Sequence, residues 1–154
     1  MSTNSSASTH KNSVEHQRAH APSSTILLVE DEYAIREFVR VVLEHAGYGV
    51  VTATDGEHGF TEYAADPDRF TLVLSDVIMP NRTGPELVGL IRQIRPEVPV
   101  IFMSAYTGGL NAAPIEIPPK VTLLEKPFSL DQLLHTVALT IAENSHLLKA
   151  RESA

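Results

Sequence analysis

The sequence predicts an α/β domain built on a doubly wound, five-stranded parallel sheet with helices on both faces. Three observations predict it. Short apolar runs alternate with stretches of helical spacing all along the middle of the chain. The runs are apolar at nearly every position, as strands buried on both faces are. Alternating units of this kind build a parallel sheet, and the chain length of 154 residues fits one such domain.

The elements follow in order. Thr25-Ile26-Leu27-Leu28-Val29 is a first strand. From Tyr33, the positions Ile35, Phe38, Val39, Val42, Leu43 and Ala46 keep helical spacing, and Gly47 stands where a helix-ending glycine belongs. Residues 50–53 form a second strand, and Asp55 caps a helix reaching about Ala64. Residues 70–75 form a third strand ending at Asp76, and Pro85 starts a helix that stops near Arg95-Pro96. Residues 98–103 and 120–124 are the fourth and fifth strands. Ser129 caps a last helix from Leu130 to about Ala142. Between the last two strands, Gly108, Gly109, Pro114, Pro118 and Pro119 leave room for a short or irregular fourth helix only.

The flanks differ from this core. Eleven of residues 1–24 are Ser, Thr or Asn, too little apolar surface to offset ordering entropy, so this segment is expected to be a disordered tail. His10, His16 and His20 lie in it as solvated side chains without held geometry. Residues 143–154 are expected to fray. The net charge is −7. The tail contributes +1 through Lys11, Arg18 and Glu15, and the end from Glu143 is balanced, so residues 25–142 hold −8. That acidity argues against direct DNA binding. No apolar run approaches a membrane span, and the polar start lacks a signal-peptide pattern, so a cytoplasmic location is expected. With no cysteine there is no disulfide, thiolate metal site or thiol nucleophile.

Ligands of open parallel sheets bind beyond the carboxyl ends of the strands. Those ends carry Glu30, Asp31 and Glu32 after the first strand, and Asp76 at the third. Ser104 follows the fourth, and Glu125, Lys126 and Pro127 follow the fifth. Singly, each has a plain explanation: Asp31 as a helix cap, Asp76 as a turn residue, Ser104 as a turn hydroxyl, Lys126 as an exposed loop lysine. Jointly they gather carboxylates, a hydroxyl and an ammonium on one rim. Clustered carboxylates repel, and a hard cation such as Mg²⁺ relieves that cost. One carboxylate can then accept a phosphoryl group, whose transfer needs positioning and charge neutralisation above all.

Leu28-Val29-Glu30-Asp31-Glu32, Asp76-Val77-Ile78-Met79-Pro80 with Gly84, Ser104-Ala105 and Lys126-Pro127-Phe128 resemble the receiver domain of two-component response regulators. The likeness runs from about Ile26 to Ile141. It implies a flavodoxin-like sheet of strand order 2-1-3-4-5. It implies Asp76 as phosphoacceptor, with Lys126 and Ser104 acting on the phosphoryl group. The implied Mg²⁺ ligands are Asp31, Asp76 and the backbone carbonyl of Ile78, with Glu30 acting through a water. The Lys126–Pro127 bond is expected to be cis, and Gly84 to adopt unusual backbone angles. The implied partners are a sensor histidine kinase or a histidine phosphotransfer protein. A phosphorylation-dependent homodimer belongs to the family's repertoire. The family catalyses its own phosphorylation and dephosphorylation without being an enzyme in the ordinary sense. Ser75-Asp76, Gly84-Pro85-Glu86-Leu87, Phe102 to Thr107 and Leu124 to Leu130 have the character of receivers attached to hybrid sensor kinases.

Two positions depart from the family's pattern. Leu123 stands where an aromatic switch residue is usual, and the Gly- and Pro-rich segment replaces a regular fourth helix. Tyr106 lies two residues past Ser104, either tuning the hydrolytic water or simply filling a loop. Other classes fit less well. An aspartyl-nucleophile phosphatase needs an acid two residues past the nucleophile, where Ile78 stands. A flavodoxin-like electron carrier would meet Glu30-Asp31-Glu32 where its flavin phosphate must bind. A phosphorylation-independent interaction module has no need of Asp31, Asp76, Ser104 and Lys126 together.

Overall fold

A computed structural model describes residues 24–105 and 115–153. The elements run β1 (Thr25–Val29), α1 (Tyr33–His45), β2 (Gly49–Ala53), α2 (Gly56–Ala65), β3 (Leu72–Asp76), α3 (Gly84–Ile94), β4 (Val100–Ala105), β5 (Thr122–Lys126) and α4 (Leu130–Glu152). All strand pairs are parallel and the order is β2-β1-β3-β4-β5, as expected. The tail apart from Ser24, together with Tyr106 and the segment to residue 114 expected to hold an irregular helix, lies outside the described residues. The described remainder of that connection, 115–121, contains no helix.

Strand alternation divides the core between the two faces. Leu27, Val29, Val73, Val100 and Phe102 point one way and pack with Tyr63 of α2 and Leu87, Val88 and Ile91 of α3. Ile26, Leu28, Leu72, Leu74, Ile101 and Met103 point the other way. They meet Val39, Val42 and Leu43 of α1 and Leu133 and Val137 of α4. Each fully buried aliphatic side chain contributes about 1.5–3 kcal/mol of transfer free energy. This two-sided burial is why the strands read as unbroken apolar runs.

Helix ends obey local rules. After α1, Gly47 takes φ +98°, with Tyr48 N–H donating to Leu43 O (3.1 Å) and Gly47 N–H to Glu44 O (3.0 Å). This pair of hydrogen bonds is the left-handed C-terminal cap that glycine favours. Asp55 caps α2 by accepting from His58 N at 2.8 Å. Thr83 and Glu86 form a reciprocal cap at α3. Ser129 and Gln132 do the same before α4.

Four expectations are corrected. First, β4 and β5 run two residues further than the apolar pattern, so Ser104 and Lys126 lie inside paired strands, Ser104 opposite Glu125 and Ala105 opposite Lys126. Ladder bonding continues past the point where helices cover the sheet, and the hydrophobic signal stops earlier. Second, Phe70 and Lys120 precede their strands. Phe70 closes a turn onto Pro67 O, and Lys120 has φ +57°, which no strand residue adopts. Third, α4 continues to Glu152 instead of ending near Ala142. Past Ile141 its polar side chains bond back to the helix: Asn144 Nδ2 donates to Thr140 O (2.7 Å) and Ser145 Oγ to Ile141 O (3.0 Å). Fourth, Gly84 has no left-handed backbone. Glycine is needed there for space, because a Cβ would collide with the carbonyl oxygen of Asp76.

Strand order reverses between β1 and β3, since the chain moves outward to β2 and returns to β3 on the other side of β1. The crevice beyond the carboxyl ends of β1 and β3 is therefore where a ligand site belongs.

Candidate functional site

Glu30 follows β1 directly, and its side chain is 1% exposed. Its Oε2 accepts from Lys126 Nζ at 2.8 Å, and its Oε1 accepts from Glu32 N at 3.1 Å. Asp76 ends β3. Its Oδ1 accepts from Val77 N at 2.8 Å, and its Oδ2 accepts from Lys126 Nζ at 3.2 Å. Lys126 closes β5 just before a cis Lys126–Pro127 bond, as expected, and its ammonium bridges two carboxylates whose parent strands are far apart in sequence. Asp31 is exposed and completes a cluster with Glu30 and Asp76, each offering an oxygen within 4.8 Å of the others.

Two of the plain explanations fail. The N-cap of α1 is Glu32, and no side chain caps that helix, so Asp31 is not a cap. Lys126 is not a loop lysine, since its side chain is only 14% exposed and doubly paired. Ser104 sits in β4 one residue past Met103, the register partner of Asp76. Among the described residues its hydroxyl has no hydrogen-bond partner. Ile78, two residues after Asp76 in the loop that follows β3, is 65% exposed. Leu123 is also exposed, on β5.

The electrostatics follow from burial. Removal from water pushes the Glu30 carboxyl above its ordinary value, against the pull of Lys126 and of the Glu32 N–H. Burial pulls the Lys126 ammonium down, but the hydrogen bond it donates to Glu30 and the charges of Asp76 and Glu30 outweigh it and hold it above its ordinary value. Lys126 is therefore a fixed positive charge at the rim. Three carboxylates supply only hard oxygen donors, the set that suits Mg²⁺ rather than a softer metal.

Two contributors escaped the sequence reading. Arg36 of α1 reaches back, its Nη1 donating to Glu30 O (2.8 Å) and Asp31 O (3.3 Å), and so shapes the turn that carries both acids. Asn81, with φ +66°, donates through Nδ2 to Asp55 Oδ2 at 2.9 Å and ties the loop after Asp76 to α2. Helical spacing in α1 hinted at neither of these contacts. The left-handed preference of Asn was the one available signal for Asn81. A separate cleft of about 580 Å³ lies near the opposite, amino ends of β4 and β5, lined by Arg92, Pro99, Val121 and Ile141 among others, and holds none of these site residues.

The family described as "Response regulator receiver domain" matches residues 26–138. The chain belongs to that family. Among curated relatives, it is 37% identical over 115 residues to the sensor kinase CckA of Brucella abortus, covering 75% of this chain and 12% of that protein. It is 30% identical over 112 residues to the response regulator receiver protein CpdR of the same organism, covering 73% of this chain and 92% of CpdR. Among solved structures, the receiver domain of the hybrid histidine kinase CckA aligns with TM-score 0.66 and 33% identity over 77% of this chain and 99% of that one. The chain spans a small part of the first curated relative and nearly all of the second. This receiver is a phosphoacceptor signalling domain of the two-component type, and no described helix is long and apolar enough to cross a membrane.

Proposed function

We propose that this receiver takes a phosphoryl group from a kinase or phosphotransfer phosphohistidine onto Asp76, with Mg²⁺ bound, and later loses it to water. The observation that carries the reading is the Lys126 ammonium held between Glu30 and Asp76 beside Asp31. Asp31, Asp76 and the Ile78 carbonyl would hold the metal, with Glu30 acting through a water. Held there, the ion would relieve repulsion among the carboxylates and would supply positive charge to the transferring oxygens.

The chain's own residues supply the rest. Val77 N–H holds Asp76 Oδ1, and Oδ2, which accepts only from the Lys126 side chain that later turns to the phosphoryl group, is the attacking oxygen. That oxygen forms a bond to phosphorus as the P–N bond breaks, and the imidazole nitrogen keeps the electron pair, its charge balanced by a proton from solvent. Lys126 follows the charge from Asp76 to a phosphoryl oxygen, and the Ser104 hydroxyl donates to another. In hydrolysis, water attacks phosphorus, the P–O bond breaks, and the Asp76 carboxylate is regenerated. Both half-reactions use this one site, so the domain serves as a switch or relay without turnover of a free substrate. Its output passes through protein contacts on the cytoplasmic side.

Incubation with Mg²⁺ and acetyl phosphate tests this reading. One phosphate is expected per chain, labile as acyl phosphates are, and none on Asp76→Ala. Equal, acid-stable labelling of Asp76→Ala would overturn it.

A further inference from the structure

The bond between Asp55 and Asn81 joins two elements that the acceptor chemistry does not by itself require to touch. Asp55 stands between β2 and α2, and Asn81 lies near the middle of the loop 77–83 that follows Asp76. The two oxygens of Asp55 divide their work: Oδ1 accepts from His58 N at 2.8 Å as a helix cap, and Oδ2 accepts from Asn81 Nδ2 at 2.9 Å. Next to this bond the two backbones touch. A Cβ on Gly56 would come within 2.7 Å of the Arg82 side chain and closer still to its carbonyl oxygen. The far end of the loop is tied back to its start, with Gly84 N–H donating to Val77 O at 2.8 Å. Gly84 also packs directly on the Asp76 carbonyl. The loop is therefore closed at its base and held at its tip.

We propose that the Asp55–Asn81 bond is a latch that presets this loop, and that Asp55 and Asn81 are positioning residues for the divalent cation through the Ile78 carbonyl. The inference rests on the functional reading above. An octahedral ion that dehydrates reluctantly rewards ligands already in place. A loop held only at its base would pay its ordering entropy when the ion binds. The latch moves that cost into folding.

Calorimetric titration of the metal-free full chain with MgCl₂ tests it on Asp55→Ser and Asn81→Gly. Serine keeps a cap on His58 but lacks the second oxygen. Glycine keeps the left-handed backbone without the amide and leaves the charge unchanged. Both variants are expected to weaken Mg²⁺ binding about three- to tenfold, the worth of one hydrogen bond. Both should speed hydrogen exchange at the Gly84 amide and leave the Leu133 amide of α4 unaffected. Mg²⁺ affinity within twofold of wild type in either variant overturns the latch, as does weakened binding with unchanged Gly84 exchange. An effect confined to Asp55→Ser overturns it too, since lost charge alone would then account for it. A wild-type chain that shows no Mg²⁺ binding sinks the functional reading itself, a result distinct from all of these.

Discussion

At the scale of single residues, Lys126 does two jobs. It neutralises a buried carboxylate, Glu30, and it holds the acceptor, Asp76. Removing it leaves Glu30 buried and unpaired, and stranding one partner of a buried pair is costly. Lys126→Met is expected to lower unfolding stability by on the order of 3 kcal/mol, read from the urea midpoint. Asp31 is the opposite case. It is exposed, has no cationic partner among the described residues, and faces two other acids. Asp31→Asn should therefore raise the metal-free melting temperature by a few degrees, about 2–4 °C for each kcal/mol relieved. It should also blunt the further rise that Mg²⁺ produces by mass action. A metal-free melting temperature unchanged or lowered in this variant would count against a repulsive cluster.

At the scale of elements, the caps set both stability and its pH dependence. The His58 N–H and then the Asn81 amide hold the Asp55 carboxyl below its ordinary value. A depressed carboxyl contributes stability that is present above its unfolded value of about 3.9 and is lost as pH falls through the lower folded value. Asp55→Ala is expected to cost about 1 kcal/mol at pH 7. The gap from wild type should narrow as pH falls below about 4, the range in which that carboxyl titrates. Denaturant melts at pH 7 and pH 3 check this. Gly84→Ala should be costlier, about 1–3 kcal/mol from overpacking, because the colliding atom is backbone.

The elements also show what the sequence could and could not reveal. β1, α1 and the cap glycine Gly47 were legible because a two-sided core and a left-handed C-terminus leave strong, local marks. Glu30, Asp31, Asp76, Ser104 and Lys126 were legible because sheet topology gathers strand ends on one rim. The true ends of β4 and β5 were hidden, since Ser104, Ala105 and Lys126 pair by backbone with no apolar signature. The extension of α4 was hidden because Asn144 and Ser145 read as helix-ending polar residues, whereas in the helix their side chains bond back to its own carbonyls. The Asp55–Asn81 link spans 26 residues, and no periodicity encodes a pairing of that kind.

At the scale of the whole molecule, the sheet separates stability from chemistry. The core fills both faces with side chains such as Leu74, Ile101 and Phe102, while the polar groups collect at the carboxyl edge. Leu74→Ala is expected to cost about 2–5 kcal/mol through a cavity, with folded protein retaining phosphate uptake. The central claim is narrower: the phosphoryl group resides on Asp76. Its most direct test is to phosphorylate the chain with acetyl phosphate and Mg²⁺, reduce the acyl phosphate with borohydride, and map the peptides by mass spectrometry. The reduction converts a phosphorylated aspartate to homoserine. Homoserine is expected at position 76 and nowhere else; an unmodified position 76 in singly phosphorylated protein, or the mark on Asp31, would contradict Asp76 as the acceptor.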